Sequence, residues 1–329
     1  MISAIQGKRV LFITTKNLDY IRNTQEINLL KKYASSCVYI GSNKKNYPGR
    51  LWDVYKKLLF QRITGFDLIF VGFAPQLVLP LFSRKFKNKT VAIDFFISMY
   101  DTLCCDRKKC KENGFLGKLL HMIDCRTLKL ADLVICDTNA HGTYFSKEFG
   151  IPKECMRTLY LEADSTIYHP MSVKRPEKLE DKFVVLYFGS VLPLQGVDIV
   201  LQAYDMLKNR KELYFYCIGP VKKSELSFPL PVADNISYID WLPQDKLAEY
   251  ISFADLCLAG HFNRTIDKAK RTIPGKAYIY RAMKKPMILG DNPANHELFD
   301  SDTNVIFVEM GNPRALANEI VKAEKTFSH

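Results

Sequence analysis

The feature that most limits the fold of this chain is an alternation of two patterns. Short runs of β-branched, aromatic and aliphatic residues recur along the sequence, each followed by a longer stretch whose apolar residues return every three or four positions. Short continuous apolar runs suit strands covered on both faces, and the longer stretches suit the helices that cover them. The pattern predicts an α/β protein with parallel sheets. Strands are expected over Arg9–Thr14, Cys37–Gly41, Asp67–Gly72, Thr90–Asp94 and Asp132–Cys136. In the second half they are expected over Phe183–Phe188, Leu213–Ile218, Ile236–Ile239, Asp255–Ala259, Pro286–Leu289 and Val305–Val308. Helices there are expected near Gln195–Lys208, over Gln244–Phe253 and Gly275–Met283, and from Pro313.

Between Asp164 and Asp181 the alternation lapses into a polar stretch with Pro170, Pro176 and several lysines, a composition that suits an exposed linker. A chain of 329 residues is long enough for two cores. We therefore expect two Rossmann-like domains, residues 1–170 and 171–329. Ligands of open α/β sheets bind at the carboxyl ends of the strands, so two such domains are expected to face each other across a cleft, one substrate in each half.

Composition narrows the function. Hydrophobic residues make up 47% and charged residues 25%, and no stretch approaches the roughly 20 apolar residues of a membrane span. MISAIQGKRVLFITT runs into a strand pattern without the apolar core of a secretory signal, so a cytoplasmic protein is expected. The net charge of +12 attracts nucleic acids, anionic lipid and phosphorylated small molecules alike. The cations are dispersed, with neither an RNP-like aromatic motif nor zinc-finger spacing, which leaves phosphate-bearing substrates and membrane surfaces. Nine cysteines, mostly single within apolar runs, point away from a disulfide framework. Cys104, Cys105 and Cys110 form no CxxC pair and stand beside Lys108, Lys109 and Lys111, so no metal is expected there.

Two segments carry candidate chemistry. In ADLCLAGHFNRTIDKAKRTIPGKAYIYRAMKKP, Ala254 to Pro286, a strand leads through a basic loop into a helix, with Lys268, Lys270, Arg271, Gly275 and Lys276 around the helix start. Free backbone N–H groups, the helix dipole and nearby cations would together hold a diphosphate. The plainer reading is a solvated basic loop. In VVLYFGSVLPLQGVDIVLQA, Val184 to Ala203, a strand ends at Gly189 and a turn with Pro193 and Gly196 opens a helix. Gly189 would let a ligand approach the backbone, although βα turns commonly need glycine for conformational reasons alone.

With YIDWLPQDKLAEYISFADLCL, IPGKAYIYRAMKKPMILGDNPANHELF and NPRALANEI, these segments resemble the donor-binding domain of GT-B glycosyltransferases, family 4 (group 1), in particular the bacterial polysaccharide and cell-surface glycan branch. LDYIRNTQE, IDFFISMYDTLCCDRKK and LADLVICDTNAHGTYFSKEFGI extend the resemblance more faintly into the first half. It implies transfer of a hexosyl or related sugar from a nucleoside-diphosphate sugar to a glycan, lipid-linked or protein acceptor. Retention of configuration and no metal or other cofactor are implied too. The donor residues are expected to be Gly189, Ser190, Gln195, Lys268, Arg271, Gly275 and Lys276, and the charge and position of Lys268, Arg271 and Lys276 suit them to neutralise the departing diphosphate.

The chain departs from the family pattern. Ser190 and Gln195 stand where an arginine and a lysine are usual, and the paired glutamates would fall at Arg271 and Ile279. The usual glycine-rich acceptor loop is replaced by Lys16–Asn23, where Asp19, Arg22 and Asn23 are candidates for acceptor hydroxyls or phosphate. A histidine usual after the fourth strand is absent; Asp94, followed by Ser98 and Asp101, is the expected polar group near the reaction centre, or else a cap for the next loop. The missing carboxylates leave open a non-catalytic nucleotide-sugar-binding or scaffold protein, and, further off, an epimerase of similar architecture. Relatives usually continue past the last helix into one that returns to the first domain; the chain is read as either a truncated piece or a shortened natural form, and a looser domain pairing would follow if that helix is absent.

RLWDVYKKLLFQRI, Arg50 to Ile63, combines a large apolar face with Arg50, Lys56, Lys57 and Arg62. It is read first as a helix packed on the first sheet with its basic residues outward. The alternative is a helix lying on an anionic membrane at its inner face.

Overall fold

The computed structural model describes residues 1–221 and 226–327. The chain divides into two compact units, Met1–Glu162 and Ala163–His329. The first contains α1 (Ile2–Ile5), β1 (Arg9–Ile13), α2 (Ile21–Tyr33), β2 (Ser36–Ile40), α3 (Tyr47–Phe60) and β3 (Leu68–Val71). It continues with α4 (Leu79–Phe82), β4 (Thr90–Asp94), α5 (Phe115–Lys129), β5 (Leu133–Cys136), α6 (Asn139–Phe149) and β6 (Met156–Thr158). The second contains β7 (Phe183–Phe188), α7 (Val197–Leu207), β8 (Leu213–Ile218), β9 (Ile236–Ile239), α8 (Gln244–Phe253) and β10 (Leu256–Gly260). It ends with α9 (Gly275–Ala282), β11 (Met287–Gly290), α10 (Pro293–Phe299), β12 (Val305–Val308) and α11 (Pro313–Phe327).

Each unit is built on a six-stranded sheet, ordered β2-β1-β3-β4-β5-β6 in the first and β12-β11-β10-β7-β8-β9 in the second. Every pairing is parallel, from Val10 opposite Leu68 between β1 and β3 to Leu256 opposite Val185 between β10 and β7. Strands such as Leu68–Val71 and Leu213–Ile218 are buried throughout, as a sheet covered on both faces requires. In the first unit one face packs Leu11, Ile69 and Ile93 against Val54, Leu58, Leu128 and Phe145 of α3, α5 and α6. The other packs Val10, Phe12 and Phe70 against Ile5 and Leu30 of α1 and α2. In the second, Val185, Phe215 and Leu258 meet Val200, Tyr204, Leu316 and Ile320 of α7 and α11.

Local chemistry fixes the helix starts. Asn46, Thr138 and Asn292 cap α3, α6 and α10 by accepting from the N–H groups of Gly49 (2.7 Å), His141 (3.0 Å) and Asn295 (2.9 Å). The expected strands all form, within a residue or so of their expected ends. β6 was not foreseen because it is three residues long with a polar, half-exposed edge. The polar stretch read as a linker is held to the second unit: Arg175 donates to the Phe253 carbonyl (2.7 Å) and Ser252 to the Met171 carbonyl (2.6 Å).

The sequence pointed away from disulfides, yet Cys104 and Cys110 are bonded, with Cα atoms 4.8 Å apart. The π-helical turn Asp101–Asp106 and the loop after it fold back over a separation of six residues and bring them together. Among the described residues no helix is long and apolar enough to cross a membrane.

Candidate functional site

In the second sheet the chain runs outward from β7 to β8 and β9, then resumes on the other side at β10. The crevice between the carboxyl ends of β7 and β10 is therefore the switch point at which ligands of open α/β sheets bind. Gly189 follows β7 and His261 follows β10, while the β10 loop leads into α9. The two loops are tied by Phe262 N–H donating to the Gln195 carbonyl (3.2 Å).

Lys276, the second residue of α9, reaches into this crevice. Its Nζ donates to Gln195 Oε1 at 2.8 Å and lies 4.0 Å from the centre of the Tyr187 ring. Gly189 has φ +147°, and a Cβ there would come within 3.2 Å of Lys276 Nζ, so the glycine keeps room for the amine. Lys276 is buried, and burial pushes its pKa down to about 7, with Cys217 acting weakly the other way. His261 is buried too; burial, then the Lys276 charge, push its pKa down to about 3, so the ring is neutral. The Tyr187 hydroxyl is buried and, among the described residues, has no hydrogen-bond partner.

No side chain caps α9, whose entry residue is Pro274, and Gly275 at its first position is exposed. An uncapped first turn next to a buried amine suits an anion. The structure thus brings Gly189, Gln195, Gly275 and Lys276 to one place, with Ser190 exposed beside Gly189. Lys268 and Arg271 lie in the turn before α9, where Arg271 Nε donates to the Asp267 carbonyl (3.2 Å) and Thr272 to the Lys268 carbonyl (3.0 Å). A cavity of about 580 Å³ adjoins the same Pro193–Gly196 turn, lined further by Asp198, Asn263, Arg264 and Thr265.

In the first unit Asp94 ends β4 and Arg22 sits in the first turn of α2. Arg22 Nε and Nη2 each donate to an Asp94 carboxylate oxygen at 2.9 Å, and Nη1 donates to the Leu159 carbonyl. Glu26, one helical turn on, lies 3.8 Å from Arg22 Nε. Burial, reinforced by the Asp94 charge and opposed by Arg22, raises its pKa well above the ordinary value. Burial also works against the Asp137 carboxylate, but the charge and hydrogen bond of His141 and the charge of Arg22 hold its pKa low. The His141 ring links the two sides, 2.7 Å from Asp137 Oδ1 and 3.9 Å from Asp101 Oδ2.

The acceptor candidates separate. Asp19 is exposed and accepts from Asn17, whereas Arg22, Asn23, Ser98 and Asp101 are buried. Asn23 accepts from Thr14 (3.2 Å) and donates to the Asn17 carbonyl (2.7 Å), which shapes the loop that replaces a glycine-rich turn. Ser98 donates to Asp124 (2.6 Å) and accepts from the Asp101 N–H (2.9 Å). Glu26, Asp137, His141, Tyr187 and His261 were not singled out in the sequence; the i, i+4 spacings of Arg22 with Glu26 and of Asp137 with His141 were the available signals. Among the described residues no group of three or more His, Cys, Asp or Glu side chains is placed to hold a metal ion.

Residues 182–325 match the family model described as glycosyl transferases group 1. No curated protein sequence matches the chain. Among solved structures, sucrose-phosphate synthase from Thermosynechococcus elongatus superposes with a TM-score of 0.66 at 12% identity, over 98% of this chain and 90% of that one. Anabaena HepE in complex with UDP gives 0.62 at 14% identity, over 96% and 90%. A glycosyltransferase from Rickettsia africae gives 0.57 at 14%, over 96% and 88%. The chain thus has the α/β GT-B fold of two parallel, Rossmann-like sheets, and residues 182–325 of its second unit match the family model of group 1 glycosyl transferases.

Proposed function

We propose that the chain is a glycosyltransferase that moves a hexosyl or related sugar from a nucleoside-diphosphate sugar, held by the second unit, to a glycan, lipid-linked or protein acceptor met by the first. The observation that carries this reading is the Lys276 amine at the switch point, bonded to Gln195 and facing Gly189 beside the uncapped start of α9. Solved structures of Anabaena HepE, which shares the fold, hold UDP, UDP-glucose, or UDP and glucose.

The chemistry follows from where charge develops. As the sugar–phosphate bond breaks, the diphosphate gains negative charge, and groups already aimed at that position stabilise it. The Gly275 and Lys276 amides and the Lys276 ammonium are those groups. Lys276 takes the place of the cation that a lysine at position 195 would supply, which is why Gln195 turns its carbonyl oxygen to the amine. Retention, independence of metal and other cofactors, and a cytoplasmic setting belong to the same reading and rest on the family resemblance. Arg271, one turn before α9, is taken as a second cation for the diphosphate, and Asp94, buried against Arg22 in the first unit, as the candidate polar group for the reaction.

A non-catalytic nucleotide-sugar-binding protein is the second reading, favoured by Arg271 and Ile279 in place of carboxylates. The test is release of nucleoside diphosphate from a panel of UDP-, GDP-, ADP- and TDP-sugars, with lipid extracts and oligosaccharides as acceptors. Transfer of labelled sugar from one donor supports the enzyme; tight donor binding without turnover supports the second reading.

A further inference from the structure

The exposed face of the helices over one side of the first sheet is unusual. α3, α4 and α5 all turn buried residues, among them Val54, Leu58, Leu79 and Leu128, to the same face of that sheet. On their outer side large apolar residues stand in water: Trp52 is 69% exposed, Phe60 81%, Leu81 67% and Phe115 87%. On α3, Trp52, Lys56, Leu59 and Phe60 fall at i, i+4, i+7 and i+8, a single stripe opposite the buried one. The helix expected to pack on the sheet with its basic residues outward exposes Lys56 and Lys57 but buries Arg50, which donates to the Lys44 carbonyl, and it shows an apolar stripe as well.

The stripe continues across neighbouring helices. The Tyr55 and Phe82 rings are 5.6 Å apart, Lys85 Nζ donates to the Leu59 carbonyl at 2.6 Å, and α4 packs in turn on α5, whose Phe115, Lys118 and Met122 are exposed at i, i+3 and i+7. Apolar surface gathered in this way marks an interaction site.

Charge identifies the partner. Lys56, Lys57, Arg62, Arg84 and Lys118 are exposed around the apolar residues. The carboxylates between Arg50 and Lys89 are Asp53 and Asp67, each in an ion pair, with Lys57 at 3.0 Å and Arg9 at 2.8 Å. Lysine is depleted at protein–protein interfaces, whereas aromatic residues ringed by Lys and Arg suit the headgroup region of a bilayer, where the long cations reach the phosphates. We propose that the outer face of α3, α4 and α5 docks on an anionic lipid surface, with Trp52, Phe60 and Phe115 entering the headgroup region and the surrounding cations facing lipid phosphates. The proposal does not depend on the sugar-transfer reading.

The test is co-sedimentation of the full chain with vesicles of phosphatidylcholine alone or mixed with phosphatidylglycerol, at low and high salt. Binding is expected to the anionic vesicles, weakened by salt. The Phe60→Ser/Phe115→Ser variant is expected to bind roughly tenfold more weakly, and so is Lys56→Glu/Arg84→Glu, which keeps the apolar residues. All four positions are exposed, so the fold is retained, as a thermal melt checks. Equal binding to neutral and anionic vesicles, or binding unchanged in both variants, would overturn the proposal. So would a concentration-dependent dimer abolished by Phe60→Ser/Phe115→Ser without vesicle binding, which assigns the face to a second copy.

Discussion

Lys276 Nζ donates to Gln195 Oε1 across 2.8 Å, joining two residues 81 apart in the sequence at the carboxyl ends of neighbouring strands. The bond holds a buried amine at the switch point of the second sheet, the place proposed here for a diphosphate, with the amide as a neutral partner that does not cancel its charge.

Replacing Lys276 with methionine keeps most of its volume and removes the charge. Turnover of the donor is expected to fall by about 10²–10³-fold, the usual cost of losing one preorganised group at a developing charge. Steady-state kinetics with the donor found in the panel checks this. Gln195→Lys restores a cation at the neighbouring position, and in the Lys276→Met background it is expected to recover part of the loss.

Lys276 titrates near pH 7 in the folded protein against an ordinary 10.5. Between those values the unfolded chain holds the extra proton, so the residue's contribution to stability rises with pH across that window and is least favourable below about pH 7. Diphosphate binding selects the ammonium form. Affinity is therefore expected to fall as pH rises above about 7, by up to about tenfold per pH unit, and to stay level in Lys276→Met. Isothermal titration across that range measures both.

Asp94 and Arg22 form a buried, bidentate pair. Asp94→Ala leaves the guanidinium buried and unpaired, and is expected to cost about 3–5 kcal/mol in a denaturant titration. Asp94→Asn keeps the shape, so a large loss of turnover in that variant with little loss of nucleotide binding would separate a role near the reaction from a purely structural one.

Glu26 has a raised pKa in the folded state, so the folded protein holds its proton after the unfolded chain has lost it. This contribution to stability is full below the ordinary carboxylate value and declines as pH rises. Glu26→Gln cannot titrate. Its stability relative to the wild type is expected to improve as pH rises above the ordinary carboxylate range, read from melting temperatures.

The sheets were legible because buried parallel strands are nearly pure apolar runs, as in Phe183–Phe188 and Leu213–Ile218. β6 was not, because an edge strand of Met156, Arg157 and Thr158 has no such run. Lys276 was legible as a candidate from its place at a helix start, and Gln195 from the family resemblance. Their contact was not, since it depends on β7 and β10 being neighbours although β8 and β9 come between them in the chain. The burial of Arg22 and Asn23 was hidden for a related reason: Asp94 and Leu159, which hold Arg22, arrive from distant strands. Polarity marked those residues as surface groups, and only the fold shows them turned inward.

The most direct measurement is the melting temperature of the wild type and of Lys276→Met with UDP, GDP, ADP, TDP and CMP, each at millimolar concentration. Ligand bound only to the folded state raises that temperature by mass action. The account predicts a rise with one nucleoside diphosphate in the wild type, strongly reduced in Lys276→Met. A rise of the same size in both proteins, or no rise with any nucleotide, would contradict the donor site at Lys276.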